Sequence, residues 1–126
     1  MKRLLLLVAS VVLLTASGRA QAPTPRALVD AKTAYMVNAG AGQGTFDDLA
    51  DEMRKWGRFT LVDDPSSADI TITLGGLIAF KGWPMTITKT GDTVPLWTDK
   101  QKKGLTKNVA QSLVKSLRER LEGNGK

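Results

Sequence analysis

Two stretches of the chain repeat apolar residues at helical spacing, and several short ones alternate or cluster them as strands do. Phe46, Leu49, Ala50, Met53 and Trp56 fall on one face of a helix, with Asp47, Asp51, Glu52, Arg54 and Lys55 on the others. Thr45 is the expected N-cap, with Asp48 closing an approximate capping box and Asp47 adding charge that the helix dipole favours. Asp51 and Lys55 are spaced to pair across one turn, and Gly57 is placed to end the helix in the left-handed conformation. Further on, Leu105, Val109, Leu113, Leu117 and Leu121 step by four beside Ala110 and Val114. Lys107, Gln111, Lys115, Arg118 and Glu122 lie largely opposite, so a second amphipathic helix is expected, stopped at Gly123.

The strand-like runs are Thr33–Val37, Phe59–Val62, Ala68–Leu74, Met85–Thr88 and Val94–Trp97. In Ala68–Leu74 the period is two: Ile70, Ile72 and Leu74 point one way and Thr71 and Thr73 the other. Thr90-Gly91-Asp92 reads as a turn, and Pro95, which has no N–H to give, places the last strand at an edge. Residues 21–32, opening with the two prolines of Gln21–Pro25, read as an extended lead-in. The expected order is β-α-β-β-β-β-α, with the first two strands parallel and the rest an antiparallel meander. Packing each amphipathic stripe once gives an α/β fold of two layers, with both helices on one face of a mixed, roughly five-stranded sheet. The other face is then rich in threonine: Thr71, Thr73, Thr86 and Thr88. Trp97, out of phase with Val94 and Leu96, is expected there too, and Trp83 lies beside Lys81 and Gly82 in the irregular run before it. These six residues are the expected partner-contact set, because an exposed Trp beside a polar sheet face can anchor an interface; the alternative is that the Trp plugs the end of the core.

The amino end changes the picture. Lys2 and Arg3 precede an apolar run from Leu4 to Leu14, interrupted only by Ser10, and small residues follow to Ala20. This is the three-part build of a secretory signal peptide, with cleavage expected after Ala20 and a soluble periplasmic or secreted product. The domain reading is a leader at 1–20, the lead-in at 21–32, one domain at 33–123 and a tail at 124–126. Losing Lys2, Arg3 and Arg19 lowers the net charge from +6 to +3. What remains is uneven: from Asp99 to Lys126 there are 8 basic and 3 acidic residues, against 7 and 9 from Gln21 to Thr98. A basic end can attract anionic lipid or phosphate. It lacks the nucleic-acid module or stacking aromatics that would make DNA or RNA a partner.

Candidate chemistry is sparse. The chain has no His and no Cys, which removes Ser-His and Cys-His nucleophiles, His-ligated zinc, disulfides and a thioether lipid anchor. Gly40, Gly42 and Gly44 follow a strand and open a helix, and Asp63 lies about twenty residues on, which approximates a dinucleotide fingerprint. Thr45 stands where the third glycine belongs, however, and no Gly-Lys-Ser/Thr follows to make a phosphate loop. Asp63, Asp64 and Asp69 lack the alternation and central glycine of a calcium loop. Asp47, Asp48, Asp51 and Glu52 crowd one helix rather than facing each other across a cleft. No catalytic, cofactor-binding or metal-ligating residue is assigned, and no cofactor is expected.

Three segments carry a resemblance: Lys55–Phe59 leading into Leu61–Pro65, then Ala68–Ile72, then Leu96–Asp99 before the basic helix. Together they resemble uncharacterised small exported bacterial proteins of acidobacterial type. The arrangement is also similar to the α/β domain at the amino end of TolB and in related envelope lipoproteins. The resemblance implies a fold more than a role. The chain lacks the lipobox cysteine of the lipoproteins and the propeller of TolB, so neither anchoring nor Tol function carries over. The expected function is that of a non-enzymatic interaction domain of the envelope, binding another envelope protein or itself. Two alternatives are a small ligand or nucleotide at Gly40–Thr45, and anionic membrane contact through the basic C-terminal helix.

Overall fold

The computed structural model describes residues 24–103 and 108–122. Within them lie α1 (Arg26–Asp30), β1 (Thr33–Ala39), α2 (Gln43–Trp56), β2 (Thr60–Leu61), β3 (Ile70–Gly75), β4 (Trp83–Lys89), β5 (Pro95–Gln101) and α3 (Val109–Glu122). The strands form one sheet in the order β2-β1-β3-β4-β5. β1 runs parallel to both β2 and β3, and β3, β4 and β5 make the antiparallel meander. The α/β class and the mixed five-stranded sheet are therefore as the residue pattern predicts. No helix among the described residues is long and apolar enough to cross a membrane.

One core holds the layers together. Ile70, Ile72 and Leu74 of β3 and Met85 and Ile87 of β4 are buried from the sheet, and Leu49 and Met53 from α2. Leu113 and Leu117 of α3 join them in the same cluster. The two long helices touch each other over this face: the Trp56 indole N–H donates to the Glu122 carboxylate at 2.9 Å, and the Arg118 guanidinium lies 5.5 Å from the Trp56 ring centroid. Trp56 also meets Phe59 edge-on, with centroids 5.7 Å apart. Burying one Leu or Ile side chain here contributes on the order of 1.5–3 kcal/mol, which makes this cluster the main source of stability.

Several local expectations are corrected. Residues 26–30 form a short helix rather than an extended lead-in; Leu28 is fully buried in the core, and the Val29 carbonyl accepts from Arg58 Nη2 at 2.8 Å. Helix α2 starts at Gln43 with Gly42 as its cap and no side-chain cap bond, so Thr45 and Asp48 sit inside the first turns and form no capping box. The glycine loop lets the backbone turn directly into the helix, and Gln43 Nε2 donates to Asp47 at 2.8 Å. Lys55 pairs with Glu52 and Arg54 with Asp51, both at 3.3 Å, in place of the expected Asp51–Lys55 bridge. Gly57 does end the helix, at φ 75°, with its N–H donating to the Met53 carbonyl. The expected stop of the last helix at Gly123, and its start at Leu105, lie outside the described residues.

Candidate functional site

The face of the sheet opposite the helices is built in rows by strand register. Tyr35, Thr71 and Thr88 form one row, and Val37, Thr73, Thr86 and Thr98 the next. No described helix lies over them, and Tyr35, Val37, Thr71, Thr73, Thr86 and Thr88 are all half-buried. Threonine suits such a face because its branched Cβ favours strands while its hydroxyl tolerates water. Four of the six expected contact residues, the threonines, are thus brought together. Tyr35 and Val37 join them, and the β-prone run around them gave no sign of which way they face.

The two tryptophans of that set are placed elsewhere. Trp97 pairs with Ile87, and Trp83 lies two residues before Met85 on β4, so both fall on the core face, where they pack against the buried cluster. Trp83 does so by extending the alternation of Met85 and Ile87 back along β4, and Trp97 because of a register shift between Ile87 and Thr88. Such a bulge sets two residues of one strand against one of its partner and interrupts strict alternation. Leu96 and Trp97, adjacent in sequence, therefore both pack on the core.

The glycine-rich loop and Asp63 do not converge. Leu61 pairs with Ala34 in parallel register, so even a strand running straight on would leave Asp63 level with Met36, four residues or about 13 Å short of Gly40 at ~3.3 Å per residue. After Val62 the chain turns back through a 3₁₀ turn, Pro65–Ser67, so that the Ser67 carbonyl accepts from Thr33 Oγ1. Gly40 instead packs on the connection between β3 and β4; a Cβ on Gly76 would lie 2.7 Å from the Gly40 carbonyl oxygen. The loop is a tight backbone crossing there.

The acidic residues serve the backbone. Asp64 accepts from the Ser66 hydroxyl at 2.8 Å and the Ser66 N–H at 3.0 Å, and these bonds hold its carboxyl below the usual carboxylate range. Asp69 accepts from the Lys32 N–H at 2.8 Å and the Thr33 N–H at 3.2 Å, which lower its pKa likewise. Among the described residues no group of three or more carboxylates is placed to hold a metal ion, and no polar or charged side chain is buried.

The run Gly76-Leu77-Ile78-Ala79-Phe80-Lys81-Gly82 is apolar between glycines but follows neither helical nor strand periodicity, so the residue pattern alone does not say which way its side chains face. The structure exposes its large side chains, Leu77 by 61%, Ile78 by 43% and Phe80 by 92%. Lys81 and Gly82 both donate to the Ile78 carbonyl, at 2.9 and 3.0 Å, closing a tight turn with Phe80 at φ 65°. That conformation costs a bulky residue on the order of 1–3 kcal/mol. No family model, curated protein or solved structure matches the chain.

Proposed function

We propose that the chain is an exported, non-enzymatic interaction domain of the bacterial cell envelope that contacts a second protein, or a second copy of itself, through the open sheet face. The observation that carries this reading is the pair of half-exposed rows, Tyr35-Thr71-Thr88 and Val37-Thr73-Thr86-Thr98, left uncovered by any described helix. The leader-like amino end supports export, and the absence of His and Cys leaves out His- and Cys-dependent nucleophiles and His-ligated zinc. Threonine methyls with hydroxyls and a tyrosine supply the mixture of apolar contact and hydrogen bonding found in non-obligate interfaces.

Size argues for a transient contact. Five strands at ~4.8 Å spacing and about five residues at ~3.3 Å give a projected face of roughly 400 Å², or about 800 Å² over both partners, below the ~1,000 Å² of a stable interface and in the range of weak, transient contacts. The test is light scattering after size exclusion, combined with cross-linking in envelope extract, on the wild type and on a T73K/T86E variant. These two positions face each other across β3 and β4, so opposite charges there keep the sheet paired. Loss of self-association or of a defined cross-link in the variant supports the reading. A strict monomer with no cross-link that depends on this face would retire it.

A further inference from the structure

We infer that the connection between β3 and β4 is a membrane-docking tip, which inserts Leu77, Ile78 and Phe80 into the interfacial region of an anionic phospholipid bilayer. This goes beyond the proposed face-to-face contact and stands even where that face binds nothing. Three observations converge on it. The apolar side chains protrude from a hydrogen-bonded turn, Phe80 almost wholly in water and in a backbone conformation that glycine would adopt without strain. An outlier of this kind, kept together with an exposed aromatic ring, points to use rather than to folding.

The second observation is charge. A Cβ on Gly82 would lie 2.3 Å from the Gln101 carbonyl oxygen and 3.0 Å from the Lys102 N, so the foot of the tip rests on the end of β5. Lys100, exposed on β5, and Lys102 and Lys103 just beyond it therefore flank the tip, with Lys81 on the turn itself. Asp99, the acidic residue of this segment, accepts from Gln101 Nε2 at 2.8 Å. Apolar side chains with lysines on the turn and at its foot match a surface of acyl chains below anionic headgroups.

The third is shape. The tip is convex, whereas anchor residues of protein interfaces pack into pockets at the centre of a broad patch. The residues differ from those of the basic C-terminal helix, where Arg118 is engaged over Trp56.

Because the chain has no cysteine, a single label can be placed at will. The chain from Gln21 onward, as left by the expected cleavage, carrying Ala79→Cys, and separately Val94→Cys at the opposite end of the sheet, is coupled to an environment-sensitive dye. Each is then titrated with vesicles of phosphatidylcholine alone or mixed with phosphatidylglycerol. The expected result is a blue shift of the Ala79→Cys dye with the mixed vesicles, weakened by salt, and none for Val94→Cys. Adding Phe80→Gly, which leaves the turn free of strain, should lower the apparent affinity about tenfold or more, the loss expected for one buried aromatic side chain. Equal shifts at both labels, no shift at Ala79→Cys, or an unchanged affinity with Phe80→Gly would each overturn the inference. A shift produced only by envelope protein and not by lipid would overturn it in favour of a protein contact.

Discussion

The two ends of the sheet are closed with different materials. At the end where β1 and β3 begin, hydrogen bonds from side chains do the work: the Asp69 carboxylate holds the Lys32 and Thr33 amides, Thr33 Oγ1 accepts from the Asp69 N–H at 2.9 Å, and the Asp69 carbonyl accepts from Thr90. The turn at that end, Thr90-Gly91-Asp92, is polar. At the other end the backbone does it: Ile78 and Gly82 bond each other across the turn, while Gly76 lies against Gly40, Gly75 against Pro84 and Gly82 against Gln101. From that tightly packed glycine base rises an exposed run of large apolar side chains, Leu77, Ile78 and Phe80. A polar turn needs only water to satisfy it. An apolar tip on an inflexible base costs stability and solubility, and is understandable as a surface that meets something.

The sharpest way to break this comparison is to add one methyl group at each end. Gly82 and Gly91 both have positive φ, 93° and 89°, but a Cβ on Gly91 meets nothing within 4 Å. Gly91→Ala should therefore cost only the conformational penalty, about 1–2 kcal/mol. Gly82→Ala adds a collision with the Gln101 backbone that neither segment can relieve cheaply, and should cost about 3 kcal/mol or more in total. Urea denaturation of the two variants measures the difference directly. Equal losses would mean that the two ends are closed alike.

This contrast also separates what could be read in the residues from what could not. Ala68–Leu74 announced its strand because every second residue needs burial, and the stripe from Phe46 to Trp56 announced its helix for the same reason. Helix α1 has five residues, too few for a period to show, and owes its place to the burial of Leu28. Trp97 lies on the core face against its expectation, because alternation assumes an unbroken ladder and the shift beside Ile87 breaks it. Four threonines of the candidate face were legible from alternation. The apolar tip was not, since its side chains follow neither helical nor strand periodicity and only the backbone reveals that they stay outside.

A smaller effect tests the strain at the tip itself. Phe80→Gly removes an exposed ring and relieves φ 65°, partly offset by the greater freedom of glycine in the unfolded chain. The net expectation is a gain of about 0.5–1 kcal/mol, seen as a higher Tm in the absence of lipid. A lower Tm would show that Phe80 supports the loop, and the distinction between a strained apolar end and a relaxed polar one would fall.

The smallest effect belongs to the polar end and depends on pH. Asp69 is exposed, so solvent screens its interactions and the change is modest. Its two backbone hydrogen bonds hold the folded-state pKa below that of the unfolded chain. The stabilisation is accordingly present in full above the unfolded carboxylate value, about pH 4, and is lost as pH falls through the lower folded value. Asp69→Asn should melt below the wild type at neutral pH, and the gap between the two curves should narrow as the pH drops below about 4. Asp64 is lowered in the same way but is unchanged in both proteins, so its titration cancels in the difference. A gap that stays constant through this range would show that the Asp69 charge adds nothing to the two hydrogen bonds.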